Sequence, residues 1–387
     1  MVKKQLVKGF VDFVGADAMK RAKMKRIIEG EFRAYGFEPA ETPSVELEEF
    51  VRGDNVNDSA VRDIFSLEDR GKRKLALRYE FTFQLKRIAQ NQKLPYKRFQ
   101  VGKIFRDEPI RAGRLREFIQ CDGDVIGSSV NDEVECLKIG KNVFEKMGIP
   151  VKIYVNNRKL INEILVSEDV PEKDRDQVIR ELDKLDKLSK KEVADNLKKL
   201  GCERVLAAFT MDEKSFAKYN FYKEIKELKK LCKAYGVKVE FRPSLSRGLS
   251  YYNGTVFEIW SKELGASLCA GGSYLVDKIQ ATGISFGLEP IFLLSKIEGD
   301  ATQVQVISID EDVAAVGLAE KLREAGVSVN VLLDKSVGKA LEYANVKGIL
   351  KVVFVGATEV KDRKFKVKDM SSGDEKVLGV DEIVGLF

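Results

Sequence analysis

Residues Phe99–Gly127 read FQVGKIFRDEPIRAGRLREFIQCDGDVIG, and their pattern decides how the rest of the chain is read. Phe99, Val101, Ile104 and Phe105 predict a short strand. Arg106, Asp107, Glu108, Arg111, Arg114 and Arg116 then crowd one connection. A second strand, Phe118–Ile126, carries Asp122 and Asp124 two positions apart, and side chains two apart on a strand share a face. Such a hairpin suits a ligand with a phosphate chain at one end and a cationic or hydrogen-bonding group at the other. The competing reading is a solvated hairpin with surface ion pairs.

Around this hairpin lie 387 residues, enough for two or three domains. Apolar content of 44% and charged content of 33% suit a globular chain with an ionic surface. No apolar run approaches the roughly 20 residues of a membrane span, and no signal-peptide core opens the chain, so the cytoplasm is expected. Cys121, Cys136, Cys202, Cys232 and Cys269 form no CxxC pair and read as free thiols. Histidine is absent, which excludes histidine general bases, Ser–His or Cys–His nucleophiles and histidine metal ligands. Chemistry must rest on Arg, Lys, carboxylates, Tyr and backbone. Residues Ala301–Phe387 hold 12 Lys/Arg against 14 Asp/Glu, −2 of the overall +6, so the first 300 residues carry +8, and any polyanion would be drawn there.

In chain order, Ala16–Tyr35 predicts an amphipathic helix closed by Gly36. GFEPAETPSVEL is extended, its Pro39 and Pro43 suited to an edge or an interface. Asp63–Thr82 predicts a hairpin ending on alternating polar residues Arg78, Glu80 and Thr82. Helices are expected at Phe83–Asn91 and Asn131–Met147. Residues 160–235 predict a helical insertion, either a solvated spacer or a binding element. Strands return from Val237 through SLSRGLSYYNGTVFEIW, CAGGSYLVDKI and TGISFGLEPIFLLSKI. There Gly271, Gly272, Gly283 and Gly287 permit close approach to a ligand or to a neighbouring strand. From Gln303 strands and helices alternate as an α/β domain, with Asp310–Asp312 expected to cap its first helix. No Walker A or dinucleotide fingerprint occurs.

The order and wording of these motifs resemble class II aminoacyl-tRNA synthetases, specifically the archaeal kind of histidyl-tRNA synthetase. GFEPAETP is similar to the family's first motif, FRDEPIRAGRLREFIQCD to its second and GISFGLE to the start of its third. LALRYEFT and SRGLSYYNGTVFE resemble its two histidine-specific segments. The resemblance implies an α+β catalytic domain on an antiparallel sheet (1–159 and 236–299), interrupted by the helical insertion (160–235), which in the family leans on the acceptor stem. A C-terminal α/β anticodon-binding domain (302–387) would follow. It implies ATP with Mg²⁺, L-histidine and tRNA(His) as partners, and a homodimer meeting around Pro43. It assigns Arg106 and Arg247 to the reacting carboxylate and α-phosphate, Glu108 to the adenine edge, Phe118 to stacking on the base and Arg114 to the outer phosphates. Glu80, Thr82 and Gln120 would take the α-ammonium, and Asp124 and Tyr252 would bracket the imidazole, with Phe81 and Tyr251 close by. No protein metal ligands are implied.

One departure bears on activity. The family's third motif ends Gly-Leu-Glu-Arg, whose arginine grips the γ-phosphate, where this chain has Gly287-Leu288-Glu289-Pro290. Weakened activation is expected, unless a neighbouring cation compensates. The alternative is a non-catalytic paralogue that binds tRNA or senses histidine, or an unrelated nucleotide-binding module.

Overall fold

A computed structural model describes residues 4–53, 61, 63–111, 113–246, 251–333 and 335–387. These fall into two compact units, 1–13 with 21–297 and 14–20 with 298–387.

In the first unit the strands, in chain order, are β1 (Glu38–Pro39), β2 (Val45–Leu47), β3 (Ser66–Glu68), β4 (Lys74–Leu77), β5 (Tyr96–Phe105) and β6 (Glu117–Ile126). They continue with β7 (Val151–Asn157), β8 (Glu240–Phe241), β9 (Tyr252–Ser261), β10 (Ala266–Val276) and β11 (Ile279–Gly287). Eight of them form one sheet in the order β1-β5-β6-β11-β10-β9-β7-β8. Pairing is antiparallel except at the two margins, where β1–β5 and β7–β8 run parallel. Pro39 therefore sits on an edge strand, where its missing N–H costs no ladder bond.

The opening hairpin supplies the second and third strands of this sheet. Its register sets Arg98 opposite Asp124, Gln100 opposite Asp122 and Gly102 opposite Gln120. On β11, Gly283, Ser285 and Gly287 continue the same rows. The period of two thus splits the sheet into a polar face and an apolar one. On the apolar side Phe99, Cys121, Val125, Ile284 and Phe286 pack against α1 (Gly15–Ala34) and α2 (Val130–Lys146). Helix α1 presents Met24, Ile28 and Phe32 at four-residue spacing, then stops at Gly36, whose φ of +76° suits glycine. Gly123 lets this helix approach, because a Cβ there would run into the Phe32 ring.

The polar residues at 78–82 do not extend the strand. β4 ends at Leu77, since Arg78 turns inward to donate to the carbonyls of Thr42 (2.6 Å) and Lys103 (2.9 Å). The expected helix at Phe83–Asn91 contracts to the single turn Leu85–Ile88, with the Gln84 amide committed to Pro43 and Glu46. Strands β2, β4 and β3 make a separate small sheet.

Residues 158–234 form helices around their own core, from Leu160 to Ile225. The last of these helices, Tyr222–Ala234, serves two cores: Tyr222 and Ile225 face the helical one, while Leu228 and Cys232 face that of the large sheet. All five cysteines are buried, and none forms a disulfide.

The second unit contains β12 (Val304–Ser308), β13 (Val329–Leu332), β14 (Lys351–Val355), β15 (Phe365–Asp369) and β16 (Glu375–Leu378), ordered β13-β12-β14-β15-β16. The first three are parallel and the last two antiparallel, with a hydrophobic cluster on each face of the sheet. The helix Asp312–Glu324 starts without a side-chain cap. Ser308 rather than the Asp310–Asp312 cluster secures the turn, accepting from the Glu311 N–H (3.1 Å) and donating to Asp312 (2.6 Å).

Candidate active site

The polar face of the hairpin opens into a cavity of about 540 Å³ in the first unit. Among its lining residues are Arg106, Glu108, Arg114, Phe118 and Gln120, all singled out from the sequence, together with Pro290. Arg106 donates from Nε to the Tyr79 carbonyl (3.1 Å), and its guanidinium lies 5.4 Å from the Phe118 ring centroid. That stacking leaves a flat cationic edge beside an aromatic face, which suits a nucleotide's phosphate and base together. Arg114 pairs with Glu108 at 2.9 Å. Its side chain is half exposed, so a ligand phosphate could displace this pair at small cost.

Beneath the cavity the carboxylates are buried. Gln120 Nε2 donates to Asp122 Oδ2 at 2.6 Å. Asp124 forms an ion pair with Arg98 at 2.8 Å and accepts a hydrogen bond from the Tyr274 hydroxyl. Gly283 makes room for this carboxylate, because a Cβ there would overlap Asp124 Oδ1. Burial pushes the Glu80 carboxyl up to about 7, against the pull of Arg106 and with the like charges of Asp122 and Asp124. Burial and then Asp124 push Asp122 up to about 7 as well, with Arg98, Ser285 and Gln120 opposing. Such a crowded acidic pocket gains from a cationic ligand group.

Not every candidate meets the cavity in the same way. Phe81 turns its ring into the core, 4.8 Å from the Arg78 guanidinium, and offers only its carbonyl, which accepts from Arg98. Tyr251 and Tyr252 form an aromatic cluster with Tyr274, and the hydroxyl bonded to Asp124 is that of Tyr274. The Thr82 carbonyl accepts from the Leu85 N–H in the turn that opens the short helix. Arg247 and Gly248 lie outside the described residues.

Two contributions were not read from the sequence. Arg98 and Tyr274 complete the Asp124 site; the signal for Arg98 was a basic residue alternating with Gln100 on the strand facing the acidic one. The helical segment reaches the cavity through Asp183, Asp186 and Lys187. Asp183 accepts from the Ser246 hydroxyl (3.0 Å), and Asn156 donates to the carbonyls of Pro243 (2.7 Å) and Leu245 (2.9 Å). Leu245 in turn packs with Tyr252 and Tyr274. No helix among the described residues is long and apolar enough to cross a membrane.

Residues 9–291 match the family model described as histidyl-tRNA synthetase, and residues 303–387 match the anticodon binding domain. The chain is 32% identical to histidine–tRNA ligase 1 of Bacillus cereus, over 97% of each chain. It is 29% identical to histidine–tRNA ligase of Treponema denticola, over 99% of this chain and 98% of that one. Among solved structures, histidyl-tRNA synthetase from Nostoc sp. PCC 7120 superposes with a TM-score of 0.88 at 25% identity, covering all of both chains. A Bacillus halodurans protein described as an ATP phosphoribosyltransferase regulatory subunit/histidyl-tRNA synthetase shares the fold, with a TM-score of 0.76 at 20% identity over 92% of this chain and 99% of that one.

Proposed function

The chain belongs to the histidyl-tRNA synthetase family, and from that premise we propose that it activates L-histidine with ATP and passes it to tRNA(His) through the residues assembled above. The histidine carboxylate attacks the α-phosphorus, pyrophosphate leaves, and a hydroxyl of the terminal ribose of the tRNA then takes the acyl group from the adenylate, releasing AMP. Charge builds on phosphoryl oxygens in the first step, and fixed guanidinium groups meet it. Arg106 would take this role from the cavity wall, with Arg247 assigned by motif. Phe118 would stack on adenine, Glu108 would read its edge, and Arg114 would leave Glu108 for the outer phosphates. Glu80, Thr82 and Gln120 would hold the α-ammonium, and Asp124 the imidazole, with Tyr252 lining the ring site.

The observation that carries this reading is the shared polar face: cavity-lining arginines at one end of the hairpin and a buried carboxylate cluster at the other. Among the described residues no group of three His, Cys, Asp or Glu side chains could hold a metal ion. Mg²⁺ would be held chiefly by the nucleotide phosphates.

Three finer assignments belong to the same proposal. The domain limits are those read from the motifs. Dimerisation would use the small sheet, on which Val45, Leu47 and Leu67 are exposed and share a face next to Pro43. The archaeal kind rests on motif wording alone, the relatives above being bacterial.

Pro290 is the feature that favours a second reading, a non-catalytic paralogue. It is the third residue of the helix Leu288–Leu294, where the first turn has spare amides, so the fold tolerates it. It also lines the cavity, with Gly113 of the arginine loop against it. Histidine-dependent ATP–pyrophosphate exchange followed by tRNA charging separates the readings. Exchange and charging support the ligase, whereas histidine binding without exchange assigns the paralogue. If a cation is missing at this position, Pro290→Arg raises the exchange rate, by up to ~10²–10³ on the scale of a lost transition-state donor. An unchanged rate sinks the idea of weakened activation.

A further inference from the structure

We infer that Arg98 is a positioning and specificity-determining residue for the ligand's ring: it balances the Asp124 charge from within the protein, so that the site takes a neutral imidazole as donor and turns away the imidazolium. The inference rests on reading this pocket as a histidine site.

Arg98 stands opposite Asp124 in the β5–β6 register and is wholly buried. One nitrogen, Nη2, lies 2.8 Å from Asp124 Oδ2 as an ion pair and donates to the Phe81 carbonyl (3.2 Å). The Arg98 Nε and Nη1, Asp122 Oδ1 and Asp124 Oδ2 itself find no hydrogen-bond partner among the described residues, so the ion pair leaves that carboxylate oxygen open to a further donor. A buried guanidinium is expensive to desolvate, and an apolar replacement of such a pair is often no less stable. Two unpartnered donors add to that cost. Stability does not account for Arg98; control of a charge does.

The groups around Asp124 come from every neighbouring element. Arg98 comes from β5, Asp122 from its own strand, and Glu80 from the segment after β4. Tyr274 comes from β10, with Tyr252 of β9 behind it, and Cys136 from α2. Arg106 acts on Glu80 and Tyr96 lies near Arg98. Among the described residues, the Asp124 carboxylate meets the Arg98 guanidinium and the Tyr274 hydroxyl. Burial raises the Asp124 pKa, while Arg98 and then Tyr274 pull it back towards ionisation. The carboxylate already has its counter-ion, so a ring N–H can add a hydrogen bond. A second cation would gain little and meet Arg98 across the same oxygens.

The test compares L-histidine with its 1,2,4-triazole analogue, whose ring stays neutral in mildly acidic solution. KM is taken from ATP–pyrophosphate exchange, and Kd from calorimetry in case activation is slow. Taking the ratio of the two ligands cancels the titration of Glu80 and Asp122. For the wild-type protein the histidine/triazole ratio climbs about tenfold per pH unit below the imidazole pKa near 6.5. In Arg98→Met the slope disappears, because Asp124 then needs the ligand as its cation; Arg98→Lys keeps it. A wild-type ratio that stays flat or falls on acidification overturns the inference without any variant, as does an Arg98→Met protein that keeps the wild-type slope. Binding of neither ligand, or activation of a different amino acid, instead overturns the histidine-site reading, and this inference with it.

Discussion

At the scale of single residues the site depends on atoms that are missing as much as on those present. Gly283 leaves the volume into which Asp124 Oδ1 projects, next to the Tyr274 hydroxyl. Gly283→Ala should therefore displace the carboxylate without touching any other candidate group. Misplacement of a binding group by about 1 Å can cost ~10²-fold. The expected outcome is a rise of that order in the KM for histidine, with the KM for ATP nearly unchanged. Equal losses for both substrates would show a general disruption instead. Arg114 and Glu108 illustrate the opposite case, since their mutual pair holds the loop's charges until a phosphate arrives. Arg114→Ala should raise the KM for ATP while leaving histidine binding in calorimetry intact, and stability should change by less than about 1 kcal/mol because the pair is half exposed.

Among the elements, the β5–β6 hairpin works because its two faces do different jobs at one register. The apolar face needs the α1 contact at Gly123, where Phe32 approaches the backbone. Gly123→Ala forces a methyl group into that ring and should destabilise the fold by about 1–3 kcal/mol, as overpacking of a close core does. A lower urea midpoint with an unchanged denaturant slope would check this. The helical segment 158–234 is coupled to the site rather than appended to it, because Asp183 fastens Ser246 in the stretch whose Leu245 supports Tyr252 and Tyr274.

At the scale of the whole molecule, Glu80 and Asp122 link stability to pH. Both carboxyls are raised to about 7 by burial. The folded state then binds more protons than the unfolded chain between pH ~4, the ordinary carboxylate value, and ~7. These groups therefore make the ligand-free protein less stable as pH rises through that window. The double variant Glu80→Gln, Asp122→Asn should flatten this fall in a series of melting temperatures. Histidine's α-ammonium reverses the balance by favouring the carboxylates, so binding near neutrality should release protons. Calorimetry in two buffers of different ionisation enthalpy measures that release, and no buffer dependence would refute it. The apolar face of the small sheet makes a prediction about assembly. Leu47→Glu combined with Leu67→Glu should halve the mass seen by light scattering, and an unchanged mass would place the dimer contact elsewhere.

Local periodicity and punctuation in the chain determined a great deal. The Phe99–Ile126 hairpin, the long helices and the alternating C-terminal unit all follow from spacing that survives any packing. The family itself was legible in the wording of the motifs. Only the tertiary structure decided which side chains share a pocket. Register set Arg98 against Asp124, and β10 brought Tyr274 to the other oxygen of that carboxylate from 150 residues away. Arg78 left its expected strand to bond two distant carbonyls, and Phe81 turned away from the cavity. The physical reason is the same in each case. A buried polar group must find its partners wherever the sheet order places them, and that order is a property of long-range pairing that no local pattern contains.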